Sequence, residues 1–115
     1  PPKVISESGL AGADGWISVE PATLKTKFEN IYAIGDVTSI PIAGRWKPGV
    51  PLKLPKAGVF AHLQAEVVAE QISSEIEGAK TDRSFNGFGY CILEMGSGIG
   101  SMAYGDFLPV HHQWW

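Results

Sequence analysis

The chain has 115 residues, enough for one modest domain, and 44% of them are hydrophobic. Its formal net charge of -3 argues against a nucleic-acid partner, because no basic stripe is present to neutralise phosphates. No apolar run approaches the roughly 20 residues of a membrane-spanning helix, and a single cysteine cannot form a disulfide within the chain.

The first predicted element is a strand at residues 16–19, which follows a turn signal at residues 13–15. A return strand is predicted at residues 23–26, so that the two strands form a β-hairpin. We interpret this hairpin as structural and assign no ligand to residues 16–27.

The chain is organised around residues 31–36, where an apolar run leads directly into Gly35 and Asp36. Such a run predicts a buried strand, and the carboxyl end of a strand is where α/β proteins bind ligands. Gly35 would let a ligand approach the backbone, and the Asp36 carboxylate would accept hydrogen bonds from hydroxyl groups. A strand that ends in an Asx-turn explains the same residues without a ligand.

Residues 37–55 contain four prolines and no helical period, so we predict a long loop. Loops of this length in a compact domain are usually functional or disordered, and the apolar content of this one favours a loop that lines or covers a site. Arg45, Trp46 and Lys47 would supply cations and an aromatic face. The alternative is that Trp46 fills the core.

Residues 56–77 are predicted to form a long helix, because apolar side chains recur at three- and four-residue steps and Gly78 is placed as a C-terminal cap. In the first turn, Lys56 would oppose the helix dipole at a cost of about 0.3–1 kcal/mol, which a nearby anion would offset. Gly58 would let a ligand touch the backbone, where free N–H groups stabilise negative charge. The alternative for Lys56 is a solvated surface lysine.

A second hairpin is predicted at residues 90–95 and 99–107, around a turn at residues 96–98. It carries Cys91, which is either a small buried apolar side chain or a redox nucleophile. No metal site is predicted. His62 is interpreted as a packed or surface histidine, and the adjacent histidines at residues 111–112 have no metal-binding pattern around them.

The segment that ends in Gly35 and Asp36 resembles the second flavin-binding segment of the two-dinucleotide-domain flavoprotein disulfide reductases, and residues 15–30 resemble the crossover hairpin before it. The matching residues are Thr26, Phe28, Asn30 and the run Ile31-Tyr32-Ala33-Ile34-Gly35-Asp36. The resemblance implies that Asp36 binds the ribityl chain of FAD.

Two further segments resemble, more narrowly, the sulfide:quinone oxidoreductases and flavocytochrome sulfide dehydrogenases. The matching residues are Pro55-Lys56-Ala57-Gly58-Val59-Phe60-Ala61, Gln64, Phe85-Asn86-Gly87, Gly89-Tyr90-Cys91-Ile92, Glu94, Gly96 and Gly98. The resemblance implies that the helix start at Lys56, Ala57 and Gly58 faces the flavin and stabilises its anionic reduced form. It also implies that Cys91 is half of a redox pair whose other cysteine lies upstream, outside this chain.

The resemblance implies an α+β fragment of an α/β two-dinucleotide-domain flavoprotein: a hairpin, a buried strand, one long helix and a C-terminal antiparallel hairpin. Residues 1–55 would end the nucleotide-binding domains, with the Gly-Asp segment and the long loop. Residues 56–115 would supply the flavin-facing helix and an incomplete hairpin domain. The parent enzyme would oxidise sulfide and reduce a quinone through its cysteine pair and FAD.

We expect a fragment of a longer protein, because the chain begins with Pro1-Pro2 and ends with Trp114-Trp115. It has no G-x-G-x-x-G motif, so the fragment alone should bind FAD weakly and be inactive. An unpaired strand edge at residues 31–34 would favour dimers. The resemblance implies a C-terminal segment that docks on a membrane surface, and we expect the terminal tryptophans to begin it, because tryptophans favour the membrane interface. We therefore expect a peripheral or cytoplasmic protein that does not span the membrane.

Two alternatives stay open. One is a type II NADH:quinone oxidoreductase or another flavoprotein reductase, in which Cys91 is incidental. The other is a non-catalytic dimerisation or interaction module, in which the aromatic-rich hairpin is the interface and Gly-Asp is a plain turn.

Overall fold

The part of the chain that the structure describes contains one long helix, one short helix and three two-stranded sheets. It is a computed structural model, and it describes residues 1–108, except the side chains of residues 44–46. In chain order the helices and strands are α1 (Lys3–Ser6), β1 (Ile17–Ser18), β2 (Thr38–Ser39), β3 (Pro41–Lys47), β4 (Val50–Lys53), α2 (Gly58–Glu77), β5 (Phe88–Glu94) and β6 (Gly100–Asp106). The predicted α+β class, with one long helix and a C-terminal antiparallel hairpin, is confirmed.

The long helix α2 begins at Gly58, two residues later than the sequence predicts. Ala57 is the extended N-cap residue, with φ of -146°, so Lys56 lies outside the first turn and does not oppose the helix dipole there. The predicted end is confirmed. Gly78 has φ of 70° and donates its N–H to the Glu75 carbonyl, as a C-terminal glycine cap does.

The core lies between one face of α2 and the loops that cross it. Its buried apolar residues are Leu24, Ile40, Phe60, Val67 and Phe85. The Phe60 ring packs edge-to-face on Phe85 and Phe107, with centroid distances of 6.4 and 5.4 Å. The buried face of α2 includes Gln64 and Gln71, whereas Ile72 and Ile76, two members of the predicted apolar stripe, are 42% and 81% exposed.

The C-terminal hairpin forms where it is predicted and packs on the start of α2. Strands β5 and β6 pair antiparallel in continuous register, which sets Cys91 opposite Ala103. Gly89 is buried against Phe60, and a Cβ atom there would lie 2.2 Å from the ring carbon Cε1. The absence of a side chain at Gly89 is therefore what lets the hairpin approach the helix.

The predicted buried strand at residues 31–34 is wrong. The segment makes a single bridge, from Tyr32 to Lys25, and the Ile31 side chain is 40% exposed. Asn30 and Leu24, which flank the two arms of this pairing, have φ of 61° and 63°. These left-handed residues lie at the two ends of the short pairing, which forms no longer strand. The predicted dimer contact stays a prediction.

Two other predictions need correction. Residues 23–26 form no return strand, and β1 pairs in parallel with β2 instead. Residues 37–55 are not a structureless loop, because β3 and β4 pair antiparallel across a turn that contains Gly49. Register shifts within this hairpin obscure the two-residue period in the sequence. No helix among residues 1–108 has the length and apolar character needed to cross a membrane.

Candidate functional site

The site is built around a tight turn at Gly35–Val37, a single turn of 3-10 helix between the Tyr32 bridge and β2. Gly35 has φ of 69°, in the left-handed region, and a Cβ there would lie 3.2 Å from the Ala61 Cβ of α2. Glycine is favoured here for two reasons, the backbone conformation and the close approach of the helix. The turn leaves Asp36 exposed.

The backbone of the turn is held from inside the protein by Gln64. This side chain is only 1% exposed, and its Oε1 atom accepts a hydrogen bond of 2.7 Å from the Gly35 N–H. On the other side, the Thr38 hydroxyl donates a 2.7 Å hydrogen bond to the Gly35 carbonyl. Both polar backbone groups of Gly35 are therefore bonded to side chains, and the turn is fixed.

Lys56 closes the turn from the other end. Its ammonium donates hydrogen bonds to the carbonyl oxygens of Asp36 and, at 3.4 Å, of Thr38. The same Nζ atom lies 3.7 Å from the centroid of the Trp16 ring. The sequence predicts a nearby anion for Lys56, whereas its partners in the structure are two carbonyl oxygens and an aromatic face.

Four of the predicted cofactor-binding residues line one small pocket. They are Gly35, Asp36, Lys56 and Ala57. Gln64, which the sequence analysis gave no separate role, also lines this pocket, because it reaches the turn from the buried face of α2. The signal for it in the sequence is a long polar residue among the apolar positions of an amphipathic helix.

An open groove beside this pocket contains Cys91. Its lining residues are Ala57, Gly58, Val59, His62, Tyr90, Cys91 and Ile92. The groove shares Ala57 with the first pocket and brings Cys91, which is half-buried, beside the start of α2. The N-cap residue Ala57 makes no side-chain capping hydrogen bond, so backbone N–H groups of the first turn lie beside the groove. Unpaired N–H groups and the helix dipole together favour negative charge.

The carboxylates around the site differ in how they are engaged. Asp14 accepts hydrogen bonds from Ser39 at 2.6 Å and from Lys53, and these bonds, that of Lys53 first, hold the pKa of its carboxyl far below the ordinary value. Asp36, by contrast, forms no ion pair within residues 1–108, the side chains of residues 44–46 aside. An ionised carboxylate in this position can accept hydrogen bonds.

The other residues that the sequence analysis singles out are found in several places. His62 lines the groove and forms a 3.3 Å contact with Glu66. Lys47 is exposed at the end of β3, and the side chains of Arg45 and Trp46 are outside the described part of the structure. The terminal tryptophans and the histidine pair also lie outside the described residues, so their predicted roles stay predictions.

No protein-family model matches this sequence. The mitochondrial sulfide:quinone oxidoreductase of Schizosaccharomyces pombe is 31% identical to it over 105 residues, which are 90% of this chain. The chain is similar to part of this sulfide:quinone oxidoreductase. The match covers 20% of that oxidoreductase, so the chain spans about a fifth of the length of the curated relative it matches. The resemblance predicted from the sequence is thereby confirmed.

A solved structure also contains this fold. The cryo-EM structure of the Tetrahymena thermophila mitochondrial ATP synthase, an F1Fo composite tetramer, includes a chain that matches with a TM-score of 0.71 and 20% identity. The match covers 92% of this chain and 23% of that one. At this identity it shows only that the arrangement of helix and hairpins occurs within a larger chain.

Proposed function

We propose that this chain is the flavin-binding end of an FAD-dependent oxidoreductase with two dinucleotide domains, which oxidises sulfide and reduces a quinone. The observation that carries the proposal is the placement of Asp36, the start of α2 and Cys91 along two pockets that share Ala57. The similarity to sulfide:quinone oxidoreductase supports the reaction, and the remaining four fifths of such an enzyme would supply the rest of the FAD site.

The residues present fit the chemistry of a flavin nucleotide. A flavin brings hydroxyl groups on its ribityl chain, for which the exposed Asp36 carboxylate is an acceptor. It also carries negative charge when reduced, for which the uncapped start of α2 is suited. A Cβ added at Gly58 would meet no atom within 4 Å, so the backbone there is open to a ligand.

When bound, FAD supplies the two-electron chemistry of the reaction. Asp36 would hold the ribityl hydroxyls, while Ala57 and Gly58 would present backbone N–H groups and the helix dipole, equivalent to roughly half a positive charge. Lys56 adds a cation at the same end of the helix and holds the turn through its bonds to carbonyl oxygens. Cys91, as a thiolate, would be the nucleophile of this region and half of a cysteine pair completed from outside this chain.

The test is the flavin content of the full-length protein with Asp36→Ala and with Cys91→Ser. We expect Asp36→Ala to lose FAD on dilution, because the variant lacks the acceptor for the ribityl hydroxyls. Cys91→Ser should stay yellow, because its role is in the reaction and not in holding the cofactor. A full-length protein that purifies colourless and takes up no added FAD would contradict the proposal and favour a non-catalytic interaction module.

A further inference from the structure

The exposed Lys56 side chain contacts groups from distant parts of the chain. Two carbonyl oxygens of the site turn, from Asp36 and Thr38, accept its hydrogen bonds. The Trp16 ring lies 3.7 Å from the same Nζ atom, which is within cation–π distance. An aromatic face and two carbonyl oxygens thus fix the position of an ammonium group at the end of a long, flexible side chain.

Trp16 is held in this position by its own segment. Its backbone N–H donates a 3.0 Å hydrogen bond to Asp14, whose carboxylate is bonded in turn to Ser39 of β2. The next residue, Ile17, pairs in parallel with Thr38. These contacts place the ring beside the site turn. The ring is not among the side chains of the apolar core or those packed against it, so core filling does not account for its position.

We propose that Trp16 is a positioning residue for the flavin site, and that it acts through Lys56. Gln64 holds the first half of the turn at the Gly35 N–H, and Lys56 holds the second half at the carbonyl of Asp36 itself. Without the ring, the flexible lysine side chain would lose the contact that orders it and would release that carbonyl. The direction of the Asp36 carboxylate would then be lost. This inference rests on the proposed role of Asp36 in holding FAD.

The first test is a double-mutant cycle on FAD affinity in the full-length protein, measured by titrating the apoprotein and following flavin fluorescence. Removing the aromatic face with Trp16→Leu should weaken FAD binding about threefold to tenfold. Lys56→Met should weaken it similarly, and Trp16→Leu should add nothing in the Lys56→Met background. Trp16→Phe keeps an aromatic face and should stay within about twofold of the wild type.

The chain offers a matched control for the loss of a cation–π contact. Lys27 lies over the Phe28 ring at 5.1 Å, on a turn outside both site pockets. Phe28→Leu removes the same kind of contact and should leave FAD affinity unchanged. A similar loss of affinity in Phe28→Leu would mean that the effect of Trp16→Leu is general destabilisation, and the inference would be overturned.

A second readout needs no flavin. In the full-length apoprotein with isotope-labelled lysine, the ring current of Trp16 should move the Lys56 methylene resonance next to Nζ upfield. Lys56→Met assigns the signal, and Trp16→Leu should return it to the position of ordinary lysines. An unshifted signal in the wild type would overturn the inference, whether or not the leucine variant folds.

The outcomes separate this inference from the proposed function. Equal losses from Trp16→Leu with and without Lys56 would overturn the inference, because Trp16 would then act independently of Lys56. If Asp36→Ala loses FAD while Trp16→Leu keeps wild-type affinity, the inference about Trp16 is overturned and the proposed function is not. Wild-type affinity in Asp36→Ala would overturn the role of Asp36 on which it rests.

Discussion

Single residues decide the shape of the site turn, and Gln64 is the clearest case. Its side chain is buried on α2, yet its Oε1 atom is the hydrogen-bond acceptor for the Gly35 N–H. A buried N–H or C=O group that is left without a hydrogen-bond partner destabilises the folded state by more than an ordinary hydrogen bond stabilises it. The stability of the protein and the geometry of the site are therefore linked at this residue.

Replacing Gln64 with leucine should expose this link. Leucine has a bulk comparable to that of glutamine but leaves the Gly35 N–H without an acceptor, which should lower the free energy of unfolding by about 1–3 kcal/mol. Urea denaturation measures the change. Ser73→Ala, on the exposed face of the same helix, is the control and should stay within about 0.5 kcal/mol. Equal stability of the two variants would contradict the account of Gln64.

Asp14 gives the site a dependence on pH. Hydrogen bonds from Lys53 and Ser39 lower the pKa of its carboxyl from an ordinary value of 3.8. A lowered folded-state pKa adds stability that is fully present above the ordinary value and is lost as pH falls below it. Asp14→Asn should therefore cost the most stability at about pH 7, and the cost should become smaller at about pH 2, well below the ordinary pKa of 3.8.

Denaturant unfolding at the two pH values measures this difference. Lys53→Met removes the main cause of the lowered Asp14 pKa. The stability of this variant should therefore fall less than that of the wild type as the pH is lowered. A difference between wild type and Asp14→Asn that stays constant with pH would show that the carboxylate adds no pH-dependent stability.

At the scale of elements, the hairpin reaches the site because it has no side chain at Gly89. Any Cβ at this position would overlap the Phe60 ring, which also contacts Phe85 and Phe107 in the core. The hairpin would have to move away from α2 to admit a methyl group. Cys91, two residues along on the same face, would move with it.

Gly89→Ala tests this packing. We expect a loss of about 1–3 kcal/mol in stability from overpacking, together with faster alkylation of Cys91 as the hairpin lifts from the helix. Gly105→Ala is a matched control, because Gly105 is the register partner of Gly89 and a Cβ there meets no atom within 4 Å. Thermal unfolding and thiol-labelling rates measure the two effects. Similar behaviour of both variants would argue against close packing at Gly89.

The elements that the sequence predicts well are those with a local signal. The spacing of apolar residues predicts α2, and Gly78 predicts where this helix ends. The glycine-rich turn predicts the second hairpin. The predicted strand at residues 31–34 is wrong because an apolar run gives no sign of the left-handed conformations of Leu24 and Asn30. The β3–β4 hairpin is hidden by its register shifts and prolines.

The site is predictable only in part for a similar reason. Gly35 and Asp36 follow from the motif, but their contact with Lys56 joins residues 20 positions apart. The role of Trp16 is further still from any local pattern, since its partner Lys56 lies 40 positions later in the chain. Such contacts are set by tertiary packing and cannot be predicted from composition and spacing.

At the scale of the whole molecule, one face of the C-terminal hairpin has no cover among the described residues. Its exposed side chains are Phe88, Tyr90, Ile92, Met102 and Tyr104. The chain spans about a fifth of the sulfide:quinone oxidoreductase it resembles. What contacts this face is therefore a question for the full-length protein. The predicted dimer, membrane association and quinone contact stay predictions at this scale.

We propose that Cys91 and a flavin held at Asp36 act together in sulfide oxidation. The most direct test is the anaerobic flavin absorbance of the full-length protein before and after sulfide is added, for wild type and Cys91→Ser. We predict that sulfide bleaches the flavin in the wild type and does not in the variant, which still binds FAD. Bleaching by NADH in both proteins, with no response to sulfide in either, would contradict the account and return Cys91 to a packing role.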